Sequence, residues 1–489
     1  MFSGAVLTLL IVSFWLRAAS PNPGQPVPAA VRASSIAVLP FVNTSPDVAD
    51  DYLGHGLGAE LTEALSGVRG VQVGARSSAF APRQVAADPR LAGRRMGVAT
   101  VLLGSVRRSG DRLRVTARLL DVAEGFDVWS EAYERQASEL FDIEAEIRNA
   151  VAGALRAPAL GDSASGRPRP TPSFLAYDAY LAGRYELEQS SPGSNRRAQA
   201  HLARAVRLDS TFAEAHAALA EAYMRGGGTE AMSPLTAAPL ARAAATRALA
   251  LDSTLAQAHS TLGTIRFLFD RQWGRAEVQF RRALALDSTD TDLYPPYARF
   301  LLAMGRNDES RSLIERALDL SPLSPGLTHQ LGWNYLHARQ YDRAREFLQR
   351  ASALDSTAWR VDADLALLEQ AAGDYPAAEA HLRSALVAAP QRAELLAAAA
   401  QLQAVRGQTE EAKLLLERLR AIATDRYISS YLIAGVEASL GRRTDAFASL
   451  ARAVKERSEL VAYLRIDLRV DSLRTDRRFA RLLRQLRLP

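Results

Sequence analysis

The sequence predicts two fold classes in one chain: a small mixed-sheet α/β domain, followed by an α-solenoid in which helix pairs stack into a superhelix. Three observations predict this. A Leu-Asp-Ser-Thr or Leu-Ser-Pro turn recurs at Leu251, Leu286, Leu320 and Leu354, at steps of 35, 34 and 34 residues. Each step carries an apolar stripe at helical spacing. Upstream, short apolar runs alternate with turn residues, which is typical of strands.

Composition limits the functions to consider. The chain has 489 residues, of which 48% are hydrophobic and 23% charged, so there is room for two or three globular domains. It has no cysteine, which excludes disulfides, thiol nucleophiles and cysteine-bound metals. Its seven histidines are far apart in sequence, and no Gly-x-Ser-x-Gly, P-loop or kinase signature occurs. We therefore expect a non-enzyme with no catalytic residues, no cofactor and no metal site.

Residues 1–17 form an apolar segment that ends at Arg17. Its apolar core is shorter than the roughly 20 residues that span a bilayer, and has the length of a signal-peptide core. Cleavage after Ser20 would leave Pro21 as the first residue, so we favour an uncleaved membrane anchor. A cleaved signal and a true start upstream of Met1 are the alternatives. Residues 18–33 are rich in proline and indicate an extended spacer.

Residues 34–156 are predicted to form the α/β domain. A buried strand over 35–41 is followed by a helix over 56–65, a strand over 71–73 and a helix over 89–96 that Asp88 would cap. Strands over 100–106, 113–120 and 126–132 come next, and Ser138 is expected to cap a last helix. This β-α-β-α-β-β-β-α order predicts a mixed sheet covered by helices.

The run Gly54-His55-Gly56-Leu57-Gly58 raises the question of a phosphate site, because helix N-termini attract anions. The glycines lie more than ten residues beyond the strand, and no Lys-Ser/Thr pair follows them. The preferred interpretation is therefore the start of a helix.

Several motifs of this domain resemble the TolB-like amino-terminal family, which is related to FlgO-like domains. They are Ser-Ile-Ala-Val-Leu-Pro-Phe (35–41), residues 52–61, Ala-Arg-Ser-Ser (75–78), Gly-Ser-Val-Arg-Arg-Ser-Gly (104–110) and Trp-Ser-Glu (129–131). His55 and Leu103 depart from the pattern, since relatives often have Asp and Glu there. The resemblance implies a domain placed between a membrane helix and repeats. Relatives often add a kinase, cyclase or DNA-binding output domain, and this sequence shows none.

Residues 157–173, rich in Gly, Ser and Pro, are predicted to be a linker. Beyond them, residues 174–457 resemble the tetratricopeptide repeat family, because each unit pairs a bulky residue with a small one, as in Leu331-Gly332, at a period of 34. About eight repeats are expected. The step from Leu208 to Leu251 is nine residues too long, and we expect the excess in a loop near residues 225–228.

The resemblance implies a concave surface lined by the first helix of each repeat. In this family the positions two past the bulky residue of each pair usually face that surface, and aligning the units places there Thr264, Arg299, Trp333, Leu367 and Gln401. His337 lies one turn beyond Trp333, and Arg360 enters from the next unit. Tryptophan and arginine are typical of peptide-binding hot spots. The alternative is that the tryptophan packs between repeats and the arginines are solvated. The candidate partner-binding residues are Thr264, Arg299, Trp333, His337, Arg360 and Gln401.

Residues 458–489 are predicted to form a capping helix and tail. A helix over 474–486 would place Phe479, Leu482, Leu483 and Leu486 on one face and arginines on the other, which suits the end of a stack. No aromatic residues alternate with these arginines, so no nucleic-acid partner is expected.

These inferences predict a non-catalytic, envelope-anchored scaffold that binds a protein or peptide partner in its repeat groove. The anchor would lie in the inner membrane with the soluble part in the periplasm, or alternatively on the cytoplasmic face. A second hypothesis is a signalling role: the TolB-like domain binds a small molecule or glycan, and the repeats relay its occupancy. A further alternative is a regulator without its usual kinase, cyclase or DNA-binding output domain.

Overall fold

The structure is a computed structural model that describes residues 35–68, 70–74, 88–155, 169–189, 191, 193–227 and 232–488. The predicted anchor and spacer, and most of the predicted linker, lie outside these ranges. Within them, no helix has both the length and the apolar character needed to cross a bilayer.

The N-terminal domain is built on one six-stranded mixed sheet. The order is β3-β1-β4-β5-β6, with β2 also pairing with β4. Strand β1 is parallel to β3 and β4, whereas β4, β5 and β6 form an antiparallel meander. The mixed sheet predicted from the sequence is confirmed, and β2 is a short addition to it. The strands are β1 (Ser35–Val38), β2 (Val42–Asn43), β3 (Gln72–Val73), β4 (Thr100–Ser109), β5 (Arg112–Asp121) and β6 (Asp127–Gln136).

Helices cover both faces of this sheet. Helices α1 (Asp51–Ser66) and α3 (Leu140–Ala154) share one apolar cluster with the sheet, whereas α2 (Pro89–Met96) packs in a second, smaller cluster. Asp88 caps α2 as predicted, because its carboxylate accepts hydrogen bonds from the backbone of Arg90 and Leu91. The cap predicted at Ser138 is wrong: Ser138 lies in a 3₁₀ turn, and Gln136 and Glu139 form a capping box instead.

Gly54 is needed where α1 crosses the sheet. A Cβ atom at this position would lie 2.0 Å from the carbonyl oxygen of Phe41, whose own N–H donates to the carbonyl of Gly54. Only a residue without a side chain allows this approach of helix to strand. The glycine-rich run thus lies within α1 and lets the helix pack closely.

Sixteen helices between Phe174 and Lys455 form eight antiparallel pairs in the described part of the chain. They are α4 (Phe174–Glu188), α5 (Ser194–Leu208), α6 (Ala213–Gly226), α7 (Pro234–Leu251), α8 (Ala256–Leu268), α9 (Trp273–Leu286), α10 (Tyr294–Ala303), α11 (Asn307–Leu320), α12 (Pro325–His337), α13 (Tyr341–Leu354), α14 (Trp359–Ala372), α15 (Tyr375–Ala388), α16 (Ala393–Val405), α17 (Thr409–Asp425), α18 (Ser430–Ser439) and α19 (Arg443–Lys455).

The two recurring sequence motifs have separate structural roles. The small residue of each bulky-small pair lets the second helix approach: a Cβ at Gly332 would lie 2.8 Å from Leu348. The Asp of the Leu-Asp-Ser-Thr turn ends the second helix, since its carboxylate accepts from the backbone and hydroxyl of the Thr two residues on. Asp287 does this to Thr289 at 2.8 Å in both bonds.

The long step in the second repeat arises in two places. The described residues place part of the excess in the connection between α6 and α7, as expected. The rest lies in α7 itself, which has 18 residues where α9 has 14. The prediction of a loop alone was therefore incomplete.

The α/β domain packs directly on the first repeat. Leu181 of α4 fills the space above Gly56 of α1. The Tyr52 hydroxyl donates to Asp178 at 2.6 Å, and Arg108 donates to the same carboxylate at 3.3 Å. A single apolar cluster runs from the sheet through α1 and α3 into the first repeats. The two predicted regions thus share a core.

The last residues of the predicted linker are also packed. Thr171 is buried, and its hydroxyl donates to Asp209 at 2.5 Å. Arg169 pairs with Asp142 of α3 at 2.5 Å, and Ser173 caps α4. Residues 169–173 therefore hold the α/β domain to the repeats.

Candidate functional site

The residues after α19 turn back into the concave side of the solenoid. We call residues 458–488 the tail; it contains 3₁₀ segments Glu459–Tyr463 and Leu468–Leu473 and the helix α20 (Arg477–Leu486). The tail packs on the last repeat, as a cap should, and it also reaches the third, fourth and fifth repeats. The predicted capping role thus accounts for part of its contacts, and those with the earlier repeats were not predicted.

Aromatic contacts hold the first part of the tail in the groove. The ring of Tyr463 lies edge-on to Phe267 of α8 and to Trp333 of α12, with centroids 5.6 Å away in both cases. At the far end, the Trp273 indole N–H donates to the carbonyl of Leu486 at 3.3 Å. The tail thus bridges the middle and the end of the superhelix.

The second part of the tail contains an internal buried ion pair and is held to the solenoid by a two-point arginine contact. Asp467 is fully buried and pairs with Arg469 at 2.7 Å. Burial alone would raise the pKa of Asp467, but the charge and hydrogen bonds of Arg469 outweigh it and lower the pKa to about 2. Arg339, just after α12, donates twice to Asp471, at 2.6 and 2.8 Å.

The tail covers two of the six predicted partner-binding residues. The ring of Trp333 lies against that of His337, tilted by 53° with centroids 4.2 Å apart, and also contacts Tyr463 of the tail. His337 is buried, and its Nδ1 lies 3.4 Å from the carbonyl oxygen of Ile466. Burial lowers the pKa of His337, so its imidazole is neutral near pH 7. In this conformation both side chains contact this chain's own tail.

Gln401 and Thr264 have different surroundings. Gln401 is buried, and its amide lies over Gly435 between α16 and α18. Thr264 donates its hydroxyl hydrogen to the carbonyl of Ser260 and lines a large central cavity.

Arg299 and Arg360 line the same cavity. Arg299 donates to Gln330 at 2.6 Å and lies 5.9 Å from the ring of Trp333. Arg360 stacks on Trp359 at 4.5 Å from the ring centroid. The structure therefore brings Thr264, Arg299 and Arg360 to one space.

This central cavity has a volume of about 2030 Å³. Its walls come from α1 and α3 of the α/β domain, from the inner helices of the first repeats, and from the N-termini of α14 and α16. Glu459 at the start of the tail closes one side. Sequence reasoning missed the contribution of the α/β domain to this wall, because no motif in α1 or α3 signals it.

The cavity is lined by many charged groups, most of them acidic. Fourteen Asp and Glu residues line it against eight Arg and no Lys, which is a formal charge of −6. Burial, and then the neighbouring carboxylates of Asp292 and Asp287, raise the pKa of Asp290 to about 7. In the same way burial and Glu394 raise the pKa of Glu459 to about 7, although Arg360 and Arg299 partly oppose the shift.

Among the described residues, those of the cavity included, no three His, Asp or Glu side chains converge in a way that would hold a metal ion.

Comparison with known proteins identifies the repeats. Residues 302–365 and 369–432 match the family model described as tetratricopeptide repeat. These segments are tetratricopeptide repeats. The helix pairs on either side continue their geometry in the structure. The resemblance of the α/β domain to the TolB-like family stays a prediction.

Individual relatives cover parts of the chain. A protein of Rhizobium meliloti (strain 1021) named "Putative adenylate cyclase 3" is 34% identical over 196 residues, which is 40% of this chain and 33% of that protein. This chain thus spans about a third of the length of the curated relative it matches.

Two solved structures are similar to the repeats. Pseudomonas aeruginosa PilF is 21% identical, with a TM-score of 0.34, over 44% of this chain and 92% of its own. The human IFIT1 dimer with PPP-AAAA is 17% identical, with a TM-score of 0.46, over 65% of this chain and 83% of its own. At these identities the similarity concerns the fold alone.

Proposed function

We propose that this protein is a non-catalytic scaffold that binds a segment of a partner protein in its central cavity. The observation that carries the proposal is the size of the cavity together with its walls of tetratricopeptide-type helices. At about 2030 Å³ it exceeds the roughly 300–1,000 Å³ of ordinary small-molecule sites. A polypeptide segment of several residues matches this volume.

The packing of the walls supports the proposal energetically. The α/β domain, the repeats and the tail are held together by shared apolar clusters and by ion pairs such as that of Arg339 with Asp471. A preformed site loses little conformational entropy when a partner binds, so more of the contact energy appears as affinity.

Site-specific photo-crosslinking in cells tests the proposal. A benzoylphenylalanine at Thr264, inside the cavity, is expected to give a discrete adduct whose partner peptide mass spectrometry identifies. The same residue at Val278 or Leu414, which are exposed on outer helices away from the cavity, serves as the control. Equal adducts from inside and outside positions, or none from Thr264, would count against a cavity ligand.

The second candidate function is ligand sensing by the α/β domain. The continuous core between α1 and α4, with Asp178 joining Tyr52 and Arg108, supports it, because a change in the domain would reach the repeats directly. The cyclase name of the partial relative also fits a regulatory setting. Thermal stabilisation of the full chain by a small molecule or glycan, abolished by changes in the α/β domain, would favour this function over the scaffold.

We also propose that residues 1–17 anchor the protein in the inner membrane with the soluble part in the periplasm. The apolar character of this segment is the support. If the soluble part is periplasmic, a phosphatase reporter fused after Pro489 is expected to be active. A fluorescent reporter fused at the same place is expected to be dark. The reverse pattern would place the soluble part on the cytoplasmic face.

A further inference from the structure

We infer that the cavity binds a partner segment rich in lysine and arginine. This inference rests on the proposed scaffold function and adds the chemistry of the partner. Two observations carry it: the charge of the cavity against that of the whole chain, and the distribution of that charge over the walls.

The negative charge is concentrated in the cavity. The whole chain has a net charge of +6, whereas the residues that line the cavity sum to −6, so the remainder of the chain carries +12. An acidic cavity inside a basic protein attracts cations into it and repels them elsewhere. Low-dielectric walls strengthen this field at the site.

The acidic residues stand on every wall. Glu63 lies on α1 of the α/β domain, Asp292 precedes α10, Glu394 lies on α16 and Glu459 belongs to the tail. No single helix or turn accounts for the charge. Arg299, Arg360 and Arg392 offset Glu394 and Glu459 at one end, so a bound basic segment would meet most of the carboxylates between α1 and α10. Burial is the main reason that the pKa values of Asp290 and Glu459 are raised, and the neighbouring carboxylates raise them further.

A basic polypeptide already occupies the adjoining part of the concave surface. Residues 457–489 contain nine Arg against four acidic residues, and this stretch lies across α8, α10 and α12. Arg457 pairs with Asp270 at the end of α8, at 3.5 Å. Arg457 is thus one arginine of this stretch that pairs with a solenoid carboxylate, whereas Arg469 and Arg474 pair with acidic residues of the tail itself.

Binding of labelled peptides to the full-length protein tests the inference. The probes are a 12-residue peptide of alternating Arg and Ser, its Glu-Ser counterpart, and a Gln-Ser peptide. Fluorescence anisotropy is expected to show binding of the Arg-Ser peptide at least about tenfold tighter than of either other probe, weakening steeply with salt. Tighter binding of the Glu-Ser peptide would overturn the inference.

Matched variants locate the site. The triple variant Glu63→Gln, Asp292→Asn, Glu394→Gln removes three cavity charges and is expected to weaken Arg-Ser binding about tenfold. The variant Glu124→Gln, Asp319→Asn, Glu411→Gln removes three charges outside the cavity and is expected to bind as the wild type does. Circular dichroism melting checks that both variants fold. Equal binding by the two variants would overturn the inference.

Two further outcomes separate the inference from the function on which it rests. If the Gln-Ser or Glu-Ser peptide binds at the cavity as well as the Arg-Ser peptide, the scaffold stands and the basic partner fails. If no peptide binds and Thr264 gives no crosslink, both fail.

A competition experiment with spermine tests whether the ligand must be a polypeptide. Spermine that displaces the Arg-Ser peptide at equal charge concentration would show that the cavity binds small polycations, and would overturn the polypeptide assignment.

Discussion

Tyr463 of the tail lies edge-on to Trp333 of α12, with ring centroids 5.6 Å apart and planes inclined by 83°. These residues are 130 positions apart in sequence, and their contact joins the C-terminal tail to the middle of the solenoid. The superhelix is therefore bridged from within, and the surface predicted for a partner is shared between the tail and the open cavity.

The first prediction concerns this contact. Tyr463→Ala removes a ring packed between Phe267 and Trp333 and should destabilise the tail by about 2 kcal/mol. Hydrogen exchange of residues 459–473 measures the loss of protection. Tyr463→Phe keeps the ring and should leave exchange nearly unchanged. Similar exchange in the two variants would mean that the aromatic contact does not hold the tail.

The second prediction concerns the buried ion pair of the tail. The pKa of Asp467 is lowered to about 2, below its unfolded value of roughly 3.9, so the unfolded state binds the proton more readily. The pair then contributes about 2.5 kcal/mol above pH 4, which is lost as the pH falls through 2. Asp467→Asn should therefore lower stability at pH 7. Denaturant titrations should show this difference shrinking between pH 4 and pH 2.

The third prediction concerns Glu459, whose pKa is shifted in the direction opposite to that of Asp467. The pKa of Glu459 is raised to about 7, above its ordinary value of 4.5, so the folded state binds the proton more readily. The penalty of ionising Glu459, which comes first from burial and then from Glu394, is absent below pH 4.5 and complete above pH 7, with Arg360 and Arg299 moderating it.

Glu459→Gln should accordingly be more stable than the wild type at pH 8, on the order of 2 kcal/mol, and equal to it at pH 4.5. Thermal melting at the two pH values measures the difference. Glu411→Gln, at an exposed site on α17, is the control and should show no such pH dependence. A variant less stable at pH 8 would contradict the assignment.

The fourth prediction compares two glycines in helices of the α/β domain. Gly54→Ala would place a Cβ 2.0 Å from the backbone oxygen of Phe41, which cannot move aside, and should cost about 3 kcal/mol. Gly153→Ala meets no atom within 4 Å and should stabilise the helix by roughly 0.5–1 kcal/mol. The denaturant midpoint of each variant, compared with that of the wild type, measures these changes in stability. If both midpoints shifted in the same direction, Gly54 would not be required for the close approach of α1 to the strand.

Local patterns were sufficient to predict most elements. The bulky-small pairs and the Leu-Asp-Ser-Thr turns predicted the helix pairs because both act within one repeat: Gly332 contacts Leu348, and Asp287 binds Thr289. The strands of the α/β domain followed from apolar runs and turn residues. The cap at Ser138 failed because a capping box one turn earlier competed with it.

Contacts between residues far apart in sequence could not be predicted from such local patterns. Nothing in residues 458–489 distinguishes a tail that only caps the last repeat from one that returns to Trp333, because an amphipathic helix suits both. Only the curvature of the superhelix brings α8 and α12 within reach of Tyr463. The placement of Gln401 between repeats depends on the same curvature.

The sequence by itself determined the repeating helix pairs, the mixed sheet and the absence of thiol chemistry, since each depends on residue type and on neighbours a few positions away. The tertiary structure alone decided that the α/β domain shares a core with the first repeat, that the tail covers Trp333 and His337, and that acidic residues from distant repeats surround one cavity. Those outcomes depend on the path of the superhelix, which results from many small rotations between successive helix pairs. The spacing of residues within one repeat does not determine that path.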